Sequence, residues 1–198
     1  MAHDGPASGV IGYWLGRAWM GLFGWEVIGE VPAGGKFVLV GAPHTSNWDF
    51  PFTLAAVHVF RLKISWMGKD SAFRKPFGGI MRRLGGIPID RDSPQGVVGQ
   101  MAERFKASEK LVVAIAPCGT RKKRDSWKTG FYWIAHTAQV PILCGYLDYG
   151  RKVACLGLSF VPTGDLTQDM GRIRGFYEGV QGKHPALASR IWLAGEDG

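Results

Sequence analysis

The sequence predicts an α/β fold, in which a single domain has a mixed β-sheet flanked by helices and a hydrophobic interfacial helix at its N-terminus. Two observations lead to this prediction. Segments with the patterns of strands and of helices alternate along most of the chain, as they do in α/β domains. The chain has 198 residues, of which 46% are hydrophobic and 20% charged, so it can form one domain with a real core. We therefore expect one functional site.

The first predicted element is the apolar segment 10–25, in which Arg17 is the only charged residue. It is shorter than the ~20 residues that cross a bilayer, and it shows neither a basic leader nor a small-residue cleavage pattern, so we expect no signal peptide and no membrane span. Two interpretations stay open: a helix lying in the membrane interface, which three Trp and a Tyr favour, and a helix packed on the domain. We assign residues 1–28 to a membrane-docking segment and 29–198 to the main domain.

The remaining elements follow from the spacing of apolar residues. Short β-branched runs such as 36–41 and 110–116 predict buried strands, and an apolar stripe at helical spacing predicts a helix over 94–107. Thr45, Ser46 and Asn47 are candidate caps for the helix that follows them. The predicted strands are 36–41, 63–67, 86–90, 110–116, 140–147 and 152–161; the predicted helices are 48–60, 71–84, 94–107, 127–138 and 165–180, with one or two further turns over 186–193.

The chain is basic, with a formal charge of +8, which predicts attraction to nucleic acid, an acidic lipid surface or a phosphate-bearing substrate. Nucleic acid is disfavoured because the N-terminal Trp residues lie in a nearly uncharged segment and do not alternate with Lys and Arg. The three cysteines, Cys118, Cys144 and Cys155, have no Cys-x-x-Cys spacing, so we expect neither a disulfide framework nor a zinc site. A reducing, cytoplasmic compartment is the default.

The segment His44-Thr-Ser-Asn-Trp-Asp49 follows the first buried strand and carries the pattern of a base and its orienting group. Histidine is a suitable general base near neutral pH, and a carboxylate on its other ring nitrogen fixes the tautomer. Five residues of separation do not place both side chains on one helix face, but they meet if His44 lies in the loop and Asp49 in the first helical turn. The attacking hydroxyl would then come from the substrate.

Three other segments stand at turns or strand ends. In Gly85-Gly-Ile-Pro-Ile-Asp-Arg91, Arg91 could bind a phosphate while Asp90 holds its guanidinium. In Pro117-Cys-Gly-Thr-Arg121, small residues let backbone N–H groups approach an oxyanion, although the P-loop pattern is missing. Val140-Pro-Ile142 would shape a pocket edge. The sequence has no Gly-x-Ser-x-Gly elbow and no metal-ligand spacing of histidines.

Taken in order, the four segments resemble the lysophospholipid acyltransferase superfamily, in its 1-acylglycerol-3-phosphate acyltransferase-like branch. That family is marked by His-x-x-x-x-Asp, Gly-x-x-x-Ile-Asp-Arg, Pro-Glu-Gly-Thr-Arg and Val-Pro-hydrophobic, which this chain matches at 44–49, 85–91, 117–121 and 140–142. The resemblance covers residues 36 to 147. The motif sequence His-Thr-Ser-Asn-Trp-Asp-Phe is similar to that of a bacterial subgroup whose substrate is uncertain.

The resemblance implies a glycerol-3-phosphate acyltransferase-like fold, makes 29–198 the acyltransferase domain, and implies transfer of a fatty acyl group to a lysophosphatidic acid-like hydroxyl in phospholipid biosynthesis. The acyl thioester, on coenzyme A or acyl-carrier protein, would be a co-substrate, and no bound cofactor or metal is implied. His44 would deprotonate the hydroxyl and Asp49 would orient His44. The acceptor-phosphate site would consist of Arg91, Cys118, Gly119, Thr120 and Arg121. Anionic membrane lipid would be a partner, which places the protein on the cytoplasmic face of the membrane.

One residue departs from the family pattern, because Cys118 stands where the family has glutamate. A thiol is a poor hydrogen-bond acceptor and has no fixed charge. A shifted acceptor, a weakened or inactive enzyme, or an introduced substitution would each explain it. The second of these makes the chain a lipid- or acyl-carrier-binding protein with the same fold. Basic neighbours also leave open a nucleophilic role for the Cys118 thiolate.

Overall fold

The computed structural model describes residues 7–74, 76, 78–90 and 92–193. Its helices are α1 (Val10–Leu22), α2 (Asp49–Val59), α3 (Gly78–Arg83), α4 (Gly96–Ala107), α5 (Gly130–Ala138) and α6 (Leu166–Tyr177), with short 3-10 helices at Asp70–Phe73 and Pro185–Leu187. Its strands are β1 (Glu26–Gly29), β2 (Lys36–Gly41), β3 (Ser65–Lys69), β4 (Gly86–Ile89), β5 (Leu111–Ile115), β6 (Ile142–Asp148) and β7 (Val153–Phe160). The alternation confirms the predicted α/β fold class.

The strands of the described chain form one mixed sheet in the order β1-β7-β6-β2-β5-β3-β4. Strands β2 to β6 are parallel to one another, whereas β7 runs antiparallel to β6 and parallel to β1. Parallel strands need crossover connections, and the intervening helices supply them. The carboxyl ends of β2, β3, β4, β5 and β6 therefore all meet at one edge of the sheet.

Alternate residues of β2 face two different hydrophobic layers, because successive strand side chains point to opposite faces. Phe37 and Leu39 pack with the apolar residues that end α2, including Val57 and Phe60. Val38 and Val40 face the larger cluster, which includes apolar residues of α4, α5 and α6. Helices thus flank the sheet on both faces, as predicted.

Two predicted elements differ from the structure. The helix predicted over 71–84 is replaced by a 3-10 helix at Asp70–Phe73 and a short α3, because Pro76 lies between them and proline disfavours helix in the residue before it. Strand β1 was not predicted. Its four residues are half exposed and pair only at the sheet edge with β7, so they lack the apolar run of a central strand. The division drawn at residue 28 falls inside β1.

Helix α1 has two different faces. Gly16 and Met20 are buried against the domain, and a Cβ atom at Gly16 would lie 2.6 Å from the Ala55 carbonyl oxygen of α2, so the two helices approach closely. The opposite face exposes Val10, Ile11, Trp14, Leu15 and Leu22, while α2 exposes Phe50 and Leu54. We call these seven residues the α1–α2 surface. Within the described chain, every helix is too short or too polar to cross a bilayer.

Candidate active site

The segment 42–49 joins β2 to α2 at the edge where the parallel strands end. It begins with a cis Ala42–Pro43 peptide bond, places His44 in the loop and makes Asp49 the first residue of α2. The predicted placement of the pair, with the histidine in the loop and the aspartate in the first helical turn, is therefore found. Ligand sites of open α/β sheets lie at such carboxyl edges.

The carboxylate of Asp49 is the centre of a hydrogen-bond network. The side chain of Asp49 is buried, with 3% of the residue exposed. His44 Nδ1 lies 2.9 Å from Asp49 Oδ2, which also accepts the backbone N–H groups of Thr45 at 2.8 Å and Ser46 at 2.9 Å. The hydroxyl of Tyr149 donates to the other oxygen, Oδ1, at 2.9 Å. Both carboxylate oxygens are thus satisfied by donors.

These donors fix the charge of Asp49. Burial alone raises the pKa of the carboxyl, but the hydrogen bonds from His44, the Ser46 N–H, Tyr149 and the Thr45 N–H outweigh it, so the pKa is lowered from its ordinary value of 3.8. Burial and the neighbouring Asp49 charge raise the pKa of the Tyr149 hydroxyl, which therefore remains a donor. The anionic carboxylate accepts from Nδ1 of His44, so a neutral imidazole has its lone pair on Nε2.

A cavity of about 1310 Å³ lies beside His44. It is larger than the ~300–1,000 Å³ of most small-molecule pockets. Its apolar lining comes from Trp66, Met67, Ile89, Val97, Ile115, Trp127, Phe131, Ile134, Leu166 and Leu193, and its polar lining includes Gly119, Thr120, Arg121, Ser126, Lys128 and Thr129. A base with a free nitrogen therefore borders a space that can hold an apolar chain and a polar head group together. Such a site can deprotonate a hydroxyl of an amphipathic molecule.

The predicted oxyanion loop, residues 117–121, follows β5 and contributes four of its residues, Pro117 and Gly119 to Arg121, to the cavity lining. Gly119 has a φ of +62°, which favours glycine, and its N–H donates to the Ala116 carbonyl oxygen at 2.9 Å. Thr120 and the exposed Arg121 line the cavity beside it. His44, Gly119, Thr120 and Arg121 thus line one cavity.

Cys118 lies in the same loop, but it is not among the described residues that line the cavity. Its thiol contacts Ser189 and packs against the core on the α4–α6 side of the sheet. Burial raises the pKa of Cys118 by more than Ser189 and Arg124 lower it, so a thiolate is disfavoured. The structure therefore argues against the nucleophilic alternative for Cys118 and against a direct contact of its side chain with a cavity ligand.

The predictions for the two remaining motifs have different outcomes. Arg91 lies outside the described residues, whereas its neighbour Asp90 accepts the backbone N–H of Asp92 through Oδ1 at 3.0 Å. The prediction that residues 140–142 shape a pocket edge is wrong. They enter β6 at its amino end, where Pro141 accepts the Val38 N–H through its carbonyl oxygen, while the cavity opens at the carboxyl ends.

Sequence reasoning missed Tyr149, which follows β6 directly. The signal that could have identified it is its position after a strand, at the same edge as His44. It also missed the segment 181–184, which packs on the His44 loop: the N–H of His184 donates to Thr45 Oγ1 at 3.2 Å. Lys183 lies over the exposed ring of Trp48, 4.9 Å from its centroid.

The described residues contain no group of three or more His, Cys, Asp or Glu side chains that could hold a metal ion.

Comparisons with known proteins give one family and one fold. The family model described as Acyltransferase matches residues 25–147, which is more than half of the chain. Among solved structures, the crystal structure of the 1-acyl-sn-glycerophosphate (LPA) acyltransferase PlsC from Thermotoga maritima matches with a TM-score of 0.54 and 21% identity, covering 86% of this chain and 75% of that one. No curated protein matches. At this identity the structural likeness concerns the fold.

The lowered pKa of Asp49 predicts a pH-dependent contribution to stability. Because the folded carboxyl binds its proton less readily than the unfolded one, its contribution is fully present above the ordinary value of 3.8 and is lost as the pH falls through the lowered pKa. We expect Asp49→Asn to be less stable than the wild type at pH 6, and this difference to shrink at pH 3, when free energies of unfolding are measured in urea. Asp125→Asn, at an exposed position, is the control. A difference that stays constant over this range would contradict the network.

Proposed function

Because this chain belongs to the acyltransferase family, we propose that it transfers a fatty acyl group from an acyl thioester to the hydroxyl of a lysophosphatidic acid-like acceptor. The family assignment confirms the resemblance drawn from the four sequence segments. The observation that carries the proposal is the hydrogen bond between His44 Nδ1 and Asp49 Oδ2, which leaves Nε2 as the free base beside the cavity. The acyltransferase PlsC, whose fold this chain shares, is named for 1-acyl-sn-glycerophosphate (LPA), an acceptor of this class.

In the proposed reaction, Nε2 of His44 removes the proton from the acceptor hydroxyl as the oxygen attacks the thioester carbonyl carbon. The tetrahedral intermediate collapses with breakage of the carbon–sulfur bond. The leaving thiolate takes the proton back from the imidazolium, and the new ester remains on the acceptor. Asp49 stabilises the imidazolium in between, since it stays anionic in its network of donors.

The acceptor phosphate would bind at Arg121, Thr120 and the N–H groups near Gly119, with Arg91 as a further ligand implied by the family pattern. Arg121 is exposed at the cavity wall and forms no ion pair within the described chain, so its guanidinium is available for a phosphate. The apolar cavity lining would hold an acyl chain. This division of polar and apolar lining fits a lipid that carries one phosphate.

The acyl donor would be acyl-CoA or acyl-carrier protein, both of which are anionic. Four consecutive cationic residues, from Arg121 to Arg124, are exposed at the loop that borders the cavity. Their charge would attract the phosphates of the coenzyme or the acidic surface of a carrier. The donor is a co-substrate in this proposal, and no bound cofactor is needed.

We also propose that the α1–α2 surface docks on anionic membrane lipid at the cytoplasmic face, as a peripheral contact. Ile11 is 79% exposed, Trp14 is 64% exposed and Phe50 is 70% exposed, which is unusual for large apolar side chains on two helices that pack against each other. Amphipathic helices of this kind lie in the headgroup region. The net charge of +8 favours an acidic surface.

The second candidate function is a weakened or inactive protein of the same fold that binds a lipid or an acyl carrier. Cys118 favours it, since the thiol cannot supply the carboxylate that the family has at this position. The intact network around Asp49 favours the enzyme. Activity measurements on the wild-type chain separate the two.

We expect His44→Ala to lower kcat/KM for acyl transfer by about 10²–10⁴-fold, the usual contribution of a general base. The measurement is formation of diacylated lipid from acyl-CoA and lysophosphatidic acid. His136→Ala is the matched control, because His136 is not among the described residues that line the cavity and its ring stacks on Tyr132 of the same helix. If the wild type is inactive and His44→Ala is unaltered, catalysis is the wrong account and the binding function stands.

The proposed phosphate site predicts that substitutions at Arg121 and at Cys118 have different effects on the KM for the acceptor. Arg121→Gln should raise the acceptor KM by about tenfold or more, since a charge-assisted hydrogen bond contributes about 1.5–3 kcal/mol. Cys118→Glu should change it less than about threefold, because a side chain at 118 faces Ser189 and Arg124. Lys123→Gln, exposed in the same loop, controls for charge. Strong activation by Cys118→Glu would contradict this placement and show that the missing carboxylate limits the wild type.

The docking surface predicts that a triple variant, with Ile11, Trp14 and Leu15 each replaced by serine, loses membrane affinity. We expect at least a tenfold lower partition coefficient on vesicles of phosphatidylglycerol and phosphatidylcholine, because three exposed apolar side chains no longer enter the interface. Replacement of the exposed Val161 and Leu187 by serine is the control for general surface hydrophobicity. Unchanged partitioning of the triple variant would exclude this surface as the docking face.

A further inference from the structure

The hydroxyl of Tyr149 donates to Oδ1 of Asp49, whereas the donors from the His44 loop all bind Oδ2. Oδ2 already accepts from His44 and from two backbone N–H groups, whereas the Tyr149 hydroxyl is the donor to Oδ1 within the described chain. A buried carboxylate oxygen without a donor is costly. The two oxygens of Asp49 therefore have different partners, and the Tyr149 hydroxyl is the donor to Oδ1.

The position of this hydroxyl is set by aromatic packing. The ring of Tyr149 meets Trp25 edge-on at a centroid distance of 4.9 Å and Phe52 at 5.9 Å. Phe52 in turn contacts Trp19 of α1 at 6.0 Å, so the ring cluster extends to the N-terminal helix. Edge-to-face contacts of this kind fix ring orientation. The hydroxyl is thereby directed at Asp49 by the rings around it.

The backbone and the surroundings of Tyr149 are equally constrained. Its N–H donates to the Gln181 carbonyl oxygen at 2.9 Å. Lys183 lies 5.7 Å from the centroid of its ring. Tyr149 is not among the described residues that line the cavity, so it has no direct access to a substrate there. The contact that links Tyr149 to the candidate base is its hydrogen bond to Asp49.

We propose that Tyr149 is a positioning residue of the reaction: its hydroxyl locks the Asp49 carboxylate in the rotamer that presents Oδ2 to His44 Nδ1. Without this donor one restraint on the terminal torsion of Asp49 is lost, so the oxygen that accepts from Nδ1 is held less firmly and the orientation of His44 is less well fixed. The role rests on the proposed function for its effect on turnover. Its effect on the His44–Asp49 hydrogen bond does not depend on which lipid is the substrate.

The experiment is Tyr149→Phe, which removes the hydroxyl and keeps the ring on Trp25. We expect kcat to fall about 10- to 100-fold, with the acceptor KM within about twofold, because the lost hydrogen bond is charge-assisted and does not touch substrate. Tyr146→Phe is the matched control, since Tyr146 lies on β6, which ends just before Tyr149, and packs on Phe176. Thermal unfolding checks the fold, with an expected loss of no more than about 10 °C.

A double-mutant cycle tests whether Tyr149 acts through Asp49. In an Asp49→Ala background, Tyr149→Phe should change kcat/KM by less than about twofold, since both oxygens that could accept from its hydroxyl are gone. An equal fold-loss in both backgrounds would overturn the proposal. So would a kcat for Tyr149→Phe that stays within twofold of the wild type.

A spectroscopic measurement keeps the proposal testable if the wild type shows no transfer or if turnover responds for another reason. The Nδ1 proton of His44, held by Asp49, should give a downfield proton NMR signal that His44→Ala removes and Tyr146→Phe retains. We expect Tyr149→Phe to shift or broaden this signal. An unchanged signal in a folded Tyr149→Phe protein would show that Tyr149 does not position the pair. An inactive wild type with the expected signal change would refute the proposed function and support the positioning role.

Discussion

The buried carboxylate of Asp49 is the group on which the rest of the site depends. Burial alone would favour its neutral form, and only the four donors around it keep the pKa low and the charge in place. Those donors come from the loop after β2 and from the residue after β6, two strands that are neighbours in the sheet. The charge then determines the tautomer of His44 and leaves Nε2 free. The charge of Asp49 thus depends on the strand order and on the loop conformation, and it determines which nitrogen of His44 can act as a base.

The same edge of the sheet also brings the base and the cavity together. The loop after β5 supplies Gly119, Thr120 and Arg121, while β3, β4, α5 and α6 supply apolar lining. This separation of polar and apolar lining is what an amphipathic substrate requires. On the other side of the sheet, α1 and α2 expose apolar residues, and α2 begins with Asp49 itself. The exposed apolar residues of α2 and the buried carboxylate of Asp49 therefore belong to one helix.

Local patterns in the sequence were sufficient to predict part of the fold and of the candidate site, but insufficient for the other parts. His44 and Asp49 could be paired because only a loop and one helical turn separate them, and strands such as β2 and β5 are continuous apolar runs. Tyr149 could not be paired with Asp49 in this way, because their contact spans 100 residues and requires β6 to lie beside β2. The Cys118 side chain contacts Ser189, which is also remote along the chain. The helix predicted over 71–84 is interrupted for a local reason, because the effect of Pro76 outweighs that of the helix formers around it.

In the proposed function, the free nitrogen of His44 activates an acceptor hydroxyl so that an acyl group is transferred and not hydrolysed. The most direct test compares, in one reaction of the wild-type protein with acyl-CoA, the coenzyme A thiol released with the diacylated lipid formed. The account predicts that thiol release requires lysophosphatidic acid and matches ester formation one for one. Thiol release that proceeds equally without acceptor, or an absence of ester product over a range of lysolipids, would contradict it.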